Sequence, residues 1–328
     1  MRDEFAWIAS ITPKEHRQAS LLEGIGDDAA LVKGSEEEDQ VVCLDTMVEG
    51  VHFTTDTMAP FHIGHKALAA NISDVAAMGG IPRYYLVSIA VPASWSEEAL
   101  GEIYKGMDTL AETYKMDLIG GDTVSTKGPL VLSITVIGSV ESGKKLLRRN
   151  ARPGDVVFMT GCAGDAAGGL ALLLEHTRNH PFTLTEQALV QAHQLPLPNV
   201  EAGRLLAEAN VRVALNDISD GVASEATEIA ESSGVKLTLV WDKLPKSIAL
   251  QSYPQEQQEQ WLLYGGEDYT LIGTMAQEDF SLIQQKAKDC NLSFIAVGKV
   301  EAGAPAVWLE RSQQPIEALH KAGYNHFS

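Results

Sequence analysis

Apolar and polar positions recur along the chain with two periods, and the period changes at turn residues. A short helix is predicted at Asp3–Ile11. Val41–Asp45 reads as a strand. Over His62–Met78 the apolar residues Ile63, Ala67, Leu68, Ile72, Val75 and Ala76 fall at helical spacing, and Gly79, Gly80 and Pro82 supply a stop. Tyr84–Val91 returns to a strand pattern. Ser94 and Glu97 form a capping-box pair before a helix running to about Tyr114, and Leu130–Val140 is the next strand. After Asp155 the pattern starts again. It gives a strand at Val156–Thr160, a glycine turn, a helix at Ala166–Glu175, and polar helical stretches at 185–194 and 199–209. A strand at Val211–Leu215, a helix at about Val222–Ser232 and a strand at Lys236–Trp241 follow. The end of the chain reads as strand Tyr269–Gly273, helix Gln277–Cys290 and strand Ser293–Val300. Both halves mix the two element types, which makes each an α/β or α+β domain.

The stretch between the halves, Glu141–Asp155, reads as a boundary. It holds Gly143, Pro153 and Gly154 and gathers Lys144, Lys145, Arg148, Arg149 and Arg152. A length of 328 residues suits two domains with separate cores. The composition, 45% apolar and 21% charged, is that of a globular protein. The most apolar run, Leu130–Val140, is short and contains Ser133, Thr135 and Ser139, so no membrane span is expected. The first residues carry neither a basic nor an apolar leader region, and no signal peptide is expected. Cys43, Cys162 and Cys290 are far apart, which disfavours a zinc site or a disulfide framework and suits a reduced, cytoplasmic setting. The balance of 25 basic against 44 acidic residues, a net charge of −19, repels nucleic-acid backbones and anionic lipid.

The carboxylates sit unusually often beside glycine and small residues. Six short motifs stand out: Gly24–Asp28, Leu44–Thr46, Asn71–Asp74, Gly120–Thr123, Asp217–Gly221 and Gly265–Asp268. Taken singly, each has an ordinary structural explanation in turn chemistry or helix capping. Taken together they place carboxylates where backbone can approach a ligand closely. Asn71 and Asp74 share one helix face. Converging carboxylates need cations, and hard oxygen ligands select Mg²⁺, which commonly bridges protein carboxylates and substrate phosphates. A polyphosphate site with several Mg²⁺ ions is the physical reading.

Two nucleotide motifs fail. Gly138 to Lys144 has P-loop spacing, but Lys145 stands where Ser or Thr would hold Mg²⁺, and Pro153 and Gly154 leave no room for the long helix that should follow. Gly161–Gly169 follows a strand and opens a helix without the dinucleotide spacing, which suits tight strand–helix packing. The basic linker is either a solvated connection or a phosphate clamp, for which arginine is the better residue. His52 alone reads as a surface or capping histidine.

The run of motifs GIGDDAA (24–30), LDTMVEGVHF (44–53), NISDVAAMGG (71–80), LIGGDT (118–123), LRRNARPGD (147–155), NDISDG (216–221), GGEDY (265–269) and GYNHF (323–327) resembles the thiamine-monophosphate kinase family. That family lies within the aminoimidazole-ribonucleotide-synthetase-like ATP-dependent superfamily, and the resemblance covers essentially the whole chain. It implies an N-terminal Mg²⁺- and ATP-binding domain over 1–145, whose mixed sheet forms a barrel across a homodimer. It also implies a C-terminal α+β domain over 150–328, with the site in the cleft between them. It implies metal contacts from Asp28, Cys43, Leu44, Asp45, Asp74, Asp122, Asp217 and Asp220. Cys43 stands where relatives have a hydroxyl residue, so only its carbonyl is counted. Nucleotide contacts are implied for Tyr104, Gly121, Asp122, Arg148 and Ser219, and thiamine monophosphate contacts for His52, Glu267 and Tyr324. Near relatives differ in their cysteines: selenophosphate synthetases carry a reactive one near the N-terminus and hydrogenase-maturation dehydratases end in one, whereas this chain has none before Cys43 and ends Asn325-His-Phe-Ser328.

The implied reaction moves the ATP γ-phosphoryl group onto a phosphate oxygen of thiamine monophosphate. With a second pKa of about 6 that phosphate needs no general base near neutral pH, so no catalytic residue beyond metal-bound carboxylates is expected. Two rivals are a superfamily enzyme that uses ATP to activate an oxygen for dehydration or amidation, and a non-catalytic Mg²⁺-binding dimer module. The full set of repelling aspartates argues against the second.

Overall fold

The computed structural model describes residues 19–23 and 27–321. The predicted helix at Asp3–Ile11, residues 24–26 of the first acidic motif, and Tyr324 lie outside them.

The first half contains β1 (Leu21–Glu23), β2 (Ala30–Lys33), β3 (Glu38–Val48), α1 (Pro60–Ala77), β4 (Ile81–Pro92), α2 (Glu97–Tyr114), β5 (Asp117–Thr126) and β6 (Val131–Glu141). These strands form a six-stranded mixed sheet in the order β1-β2-β3-β6-β4-β5. β4 and β5 are parallel, joined by the crossover helix α2, and the other pairs are antiparallel. β3 and β6 pair along their whole length, from Glu38 opposite Glu141 to Val48 opposite Val131. Alternation decides which side is covered. Val41, Cys43 and Met47, Leu132, Ile134 and Val136, and Tyr85, Val87 and Ile89 are buried on the face that carries α1. On the other face Leu44 is 62%, Tyr84 44% and Val124 47% exposed.

The second half contains β7 (Asp155–Met159), α3 (Asp165–His176), α4 (Leu184–Gln194), α5 (Val200–Glu208), β8 (Val213–Asp217), α6 (Val222–Ser233), β9 (Lys236–Val240), α7 (Ile248–Gln251), α8 (Gln255–Tyr264), β10 (Leu271–Ala276), α9 (Gln277–Asp289), β11 (Ile295–Glu301), β12 (Ala306–Glu310) and β13 (Glu317–Leu319). Its seven-stranded mixed sheet has the order β13-β12-β9-β11-β7-β10-β8, with β9 and β12 parallel. Every residue of β7 and β8 is buried, because helices cover both faces there. The core under α1 runs on into this sheet through Phe158, Leu215 and Leu271, so the two halves share apolar packing. No helix of the described residues is long and apolar enough to cross a membrane.

Several boundaries differ from the sequence pattern. Helix α2 is capped by Ser96, whose side chain accepts from Ala99 N, not by Ser94. Trp95 Nε1 donates to Glu49 Oε2 at 3.1 Å, which holds residues 93–95 as a turn and delays the helix by two positions. β10 begins after Tyr269, not at it, because Tyr269 has a left-handed φ of 51°. The P-loop-like run is the end of β6 followed by a turn, and Lys144 leads into no helix before the single 3₁₀ turn at Arg148–Asn150. Gly161–Gly169 does open a helix, and Asp268 caps it by accepting from Gly164 N at 2.6 Å and Ala166 N at 3.1 Å.

Candidate active site

A cavity of about 560 Å³ lies where β3 and α1 of the first half face α3, the β8–α6 turn and residues 264–269 of the second. Its lining combines the carboxylates of Asp45, Asp74, Asp217 and Asp220 with the apolar side chains of Met47, Val51, Leu170, Ala171 and Leu174.

A cluster of three carboxylates, two of them in the cavity lining, is assembled from three places in the chain. Asp28 precedes β2, Asp74 is in the last turn of α1, and Asp217 is the last residue of β8. Their carboxylate oxygens lie within 4.8 Å of one another. Burial and the neighbouring carboxylates push Asp74 and Asp217 well above the usual range. Burial also raises Asp28 and Asp45. A buried group of mutually repelling hard oxygens suits a small divalent cation, and the donor set fits Mg²⁺.

Asn71 explains why its motif pairs an amide with an acid. Its Oδ1 accepts from Asp45 N at 3.1 Å and its Nδ2 donates to Ala67 O, so it ties α1 to β3 while Asp74 reaches the cluster. Ser73 donates to Asp217 Oδ2 at 2.6 Å. The Cys43 thiol donates to Asn71 O, and burial beside Asp74 and Asp45 pushes its pKa up, so the sulfur remains a thiol turned into the core. The neighbouring Leu44 projects onto the open sheet face.

Arg148 crosses from the linker to the cluster. Its guanidinium donates to Asp28 Oδ1 at 2.5 Å and to Asn216 Oδ1 at 3.0 Å, and it pairs with Glu228 Oε2 at 2.6 Å. These carboxylates raise its pKa against the opposing effect of burial. Arg149 instead points outward to Glu23. Ser219 and Asp220 occupy the turn after β8. Glu225, which the sequence reading missed, holds that turn: its Oε1 accepts from Asp220 N at 3.0 Å and its Oε2 from Asn216 Nδ2 at 2.6 Å. Glu225 sits inside an ordinary helical pattern, so nothing in its spacing marks it.

His52 lines the cavity, with its Nδ1 accepting from Val48 N at 3.0 Å. Glu267 also lines it, on a turn whose N–H donates to Ser219 O at 2.7 Å. Gly266 is required there, since a Cβ on it would come within 2.0 Å of Ser219 O. Lys66 and His193, neither singled out from the sequence, meet Glu267 from behind.

Asp28, Cys43, Leu44 and Arg148 lie outside the cavity lining but beside its carboxylates in space or sequence, whereas Gly121, Asp122 and Tyr104 are not brought to it within one chain. Gly121 and Asp122 are on β5 at the sheet edge, in register with Val87 and Ser88 of β4. Asp122 lies three strands from Thr46 along the row Thr46–Ser133–Ser88–Asp122, about 14 Å at the usual strand spacing. Gly121 is fixed by packing, for a Cβ there would sit 1.9 Å from Val87 O. Tyr104 is on α2, partly buried against the core.

The family model described as AIR synthase related protein, N-terminal domain, matches residues 26–140, and its C-terminal counterpart matches 152–309. The chain is 46% identical over 325 residues to a thiamine-monophosphate kinase of Bacillus subtilis, covering 99% of each chain. It is 34% identical over 327 residues to that of Salmonella typhimurium, covering 99% of this chain and 98% of the other. Among solved structures, AaThiL complexed with AMPPCP and TMP superposes with a TM-score of 0.83 at 30% identity, covering 99% of this chain and 97% of that one. A thiamine-monophosphate kinase from Stenotrophomonas maltophilia K279a gives 0.78 at 33% identity, covering 91% and 93%. With full-length identity on this scale and both domain models matched in order, the chain belongs to the thiamine-monophosphate kinase family.

Proposed function

We propose that the protein transfers the γ-phosphoryl group of ATP directly to the phosphate of thiamine monophosphate, giving thiamine diphosphate and ADP. The observation that carries this reading is the mixed lining of the cavity. Its aspartates would suit phosphates accompanied by Mg²⁺, and its apolar side chains, with Glu267 and His52 among them, suit a cationic ring system.

Asp28, Asp45, Asp74, Asp217 and Asp220 would hold the metal ions, with the carbonyls of Cys43 and Leu44 beside them. Mg²⁺ held there would supply charge neutralisation between the two polyanions. The chain's own contribution is positioning. Asn71 and Ser73 fix the depth of Asp45 and Asp217. Glu225 sets the Ser219–Asp220 turn for the nucleotide. Arg148 offers a planar fork to phosphate oxygens from the linker side. The acceptor is already deprotonated, so no side chain needs to act as a base. Glu267 and His52 orient thiamine monophosphate, and Tyr324 adds an aromatic face to the cation, an attraction of roughly 0.5–2 kcal/mol.

The domain division falls near residues 145–150 in this reading, and the active form is a cytoplasmic homodimer. Support for the dimer is a face with exposed apolar side chains at Leu44, Tyr84 and Val124, together with the edge of β5, which no strand of the described residues pairs. Gly121, Asp122 and Tyr104 act from the β5 side in that dimer. The test is ATP consumption with thiamine monophosphate as the sole acceptor. Formation of equal amounts of ADP and thiamine diphosphate is expected. ATP use that requires a different acceptor would favour a dehydrating or amidating relative, and Mg²⁺–ATP binding without turnover would favour a non-catalytic module.

A further inference from the structure

Lys66 is in the middle of α1 and its side chain has no exposed surface. A buried ammonium is strongly unfavourable unless it is paired and hydrogen-bonded. Its Nζ donates to Glu267 Oε2 at 2.5 Å and reaches His193 Nδ1 at 3.2 Å. His193 comes from α4 and is also buried. Burial and the adjacent ammonium hold its ring far below the usual pKa, so it is neutral and accepts the bond. Two further elements, α4 and the turn carrying Glu267, thus converge on one ammonium of α1.

The other half of this pair opens on the cavity. Glu267 is 29% exposed and lines the wall. Its backbone is held at a left-handed φ of 70°, sparsely populated for a residue with a Cβ, and is fastened by the bond from its N–H to Ser219 O. Among the described residues, Oε2 takes the bond from Lys66 and Oε1 makes none. An ion pair serving only the core would have no reason to leave its carboxylate partly exposed on the cavity wall, and apolar residues of similar volume would serve the core as well.

We propose that Lys66, backed by His193, is a positioning residue for thiamine monophosphate: it anchors one oxygen of Glu267 so that the other is presented to the cationic part of the substrate in a single orientation. This rests on the reading of Glu267 as a substrate contact.

The test is steady-state kinetics of Glu267→Gln, Lys66→Met and the double variant, with each substrate varied in turn. Glu267→Gln is expected to raise the KM for thiamine monophosphate at least about tenfold, the effect of losing a hydrogen bond to a charged group, and to leave the KM for ATP unchanged. Lys66→Met is expected to do the same, and the double variant to be no worse than Glu267→Gln alone. If Glu267→Gln leaves both constants unchanged, the reading of Glu267 fails. If Glu267→Gln acts and folded Lys66→Met does not, the role of Lys66 fails while that of Glu267 stands. If Lys66→Met does not fold, because it leaves the Glu267 carboxylate without its cation, the double variant decides, since neither charge remains. A KM for thiamine monophosphate matching Glu267→Gln supports positioning. A further rise, or an equal rise in both constants, marks a purely structural lysine and overturns the proposal.

Discussion

The hydroxyl of Ser73, on the long helix of the first half, donates to Asp217 Oδ2 at the end of a strand of the second half, across 2.6 Å. One residue further along the same helix, Asp74 joins Asp217 and Asp28 in the carboxylate cluster. The cluster therefore exists only while the two halves are seated against each other, and Ser73 is the neutral donor that partly offsets its repulsion.

Ser73→Ala should leave Asp217 short of a donor and weaken the metal site. In wild type, Mg²⁺ with a non-hydrolysable ATP analogue should raise the melting temperature by mass action, a stabilisation of about 2.7 kcal/mol at a hundredfold excess over Kd, and EDTA should reverse it. The variant should need more Mg²⁺ for the same shift. A melting curve indifferent to Mg²⁺ and nucleotide in wild type would contradict a convergent metal site.

Arg148 and Arg149 are adjacent in sequence but differ in surroundings. Arg148 is engaged by Asp28, Glu228 and Asn216, and Arg149, itself half exposed, by Glu23. Arg148→Ala should lower ATP use far more than thiamine monophosphate use, and should also destabilise the fold by leaving buried carboxylates unpaired. Arg149→Ala should change stability by about 1 kcal/mol or less and leave turnover alone. Kinetics with each substrate varied, alongside melting curves, decide. Equal effects at the two positions would remove the phosphate role.

Much of this was legible in the sequence because two signals agree: helical and strand periods locate α1, β3, β4, β6 and α6, and acidic motifs fall inside β3, in the last turns of α1 and at the turn before α6. The edge strand β5 escaped the periodicity because Gly120 and Gly121 interrupt it and nearly every residue in it is exposed. The convergence of Asp28, Asp74 and Asp217 could be suspected from composition, but its geometry depends on packing between halves. Lys66, His193 and Glu225 were invisible for a simpler reason. Each sits on a helix where a charged or polar residue ordinarily faces water, and only the tertiary fold buries it.

Glu141, at the end of β6, makes a two-pronged pair with Arg204 of α5, with oxygen–nitrogen distances of 2.8 and 2.9 Å. Hydrogen bonding from Arg204 lowers the Glu141 pKa to about 2 from its usual 4.5. The unfolded chain thus binds the proton more tightly, so the pair's contribution is fully present above about pH 4.5 and is lost as the pH falls toward 2. Because Glu141 is partly exposed, solvent screening holds this contribution to about 1 kcal/mol or less. The stability difference between wild type and Glu141→Gln should shrink over that window. A constant difference down to pH 2 would show that the ion pair is not its source.

The open sheet face gives a test of assembly. Tyr84→Asp combined with Val124→Asp puts charge at two exposed apolar positions without touching the covered face. Sedimentation should shift from dimer to monomer with the fold retained. An unchanged dimer would place the interface elsewhere.

Direct transfer between two bound phosphates is the central claim, and isotopic labelling of the ATP γ-phosphoryl group tests it most directly. The purified protein, incubated with Mg²⁺, labelled ATP and thiamine monophosphate, should place the label in the terminal phosphate of thiamine diphosphate, with none on the protein and none in inorganic phosphate. Label recovered as inorganic phosphate, or held on a side chain before the acceptor is added, would contradict it.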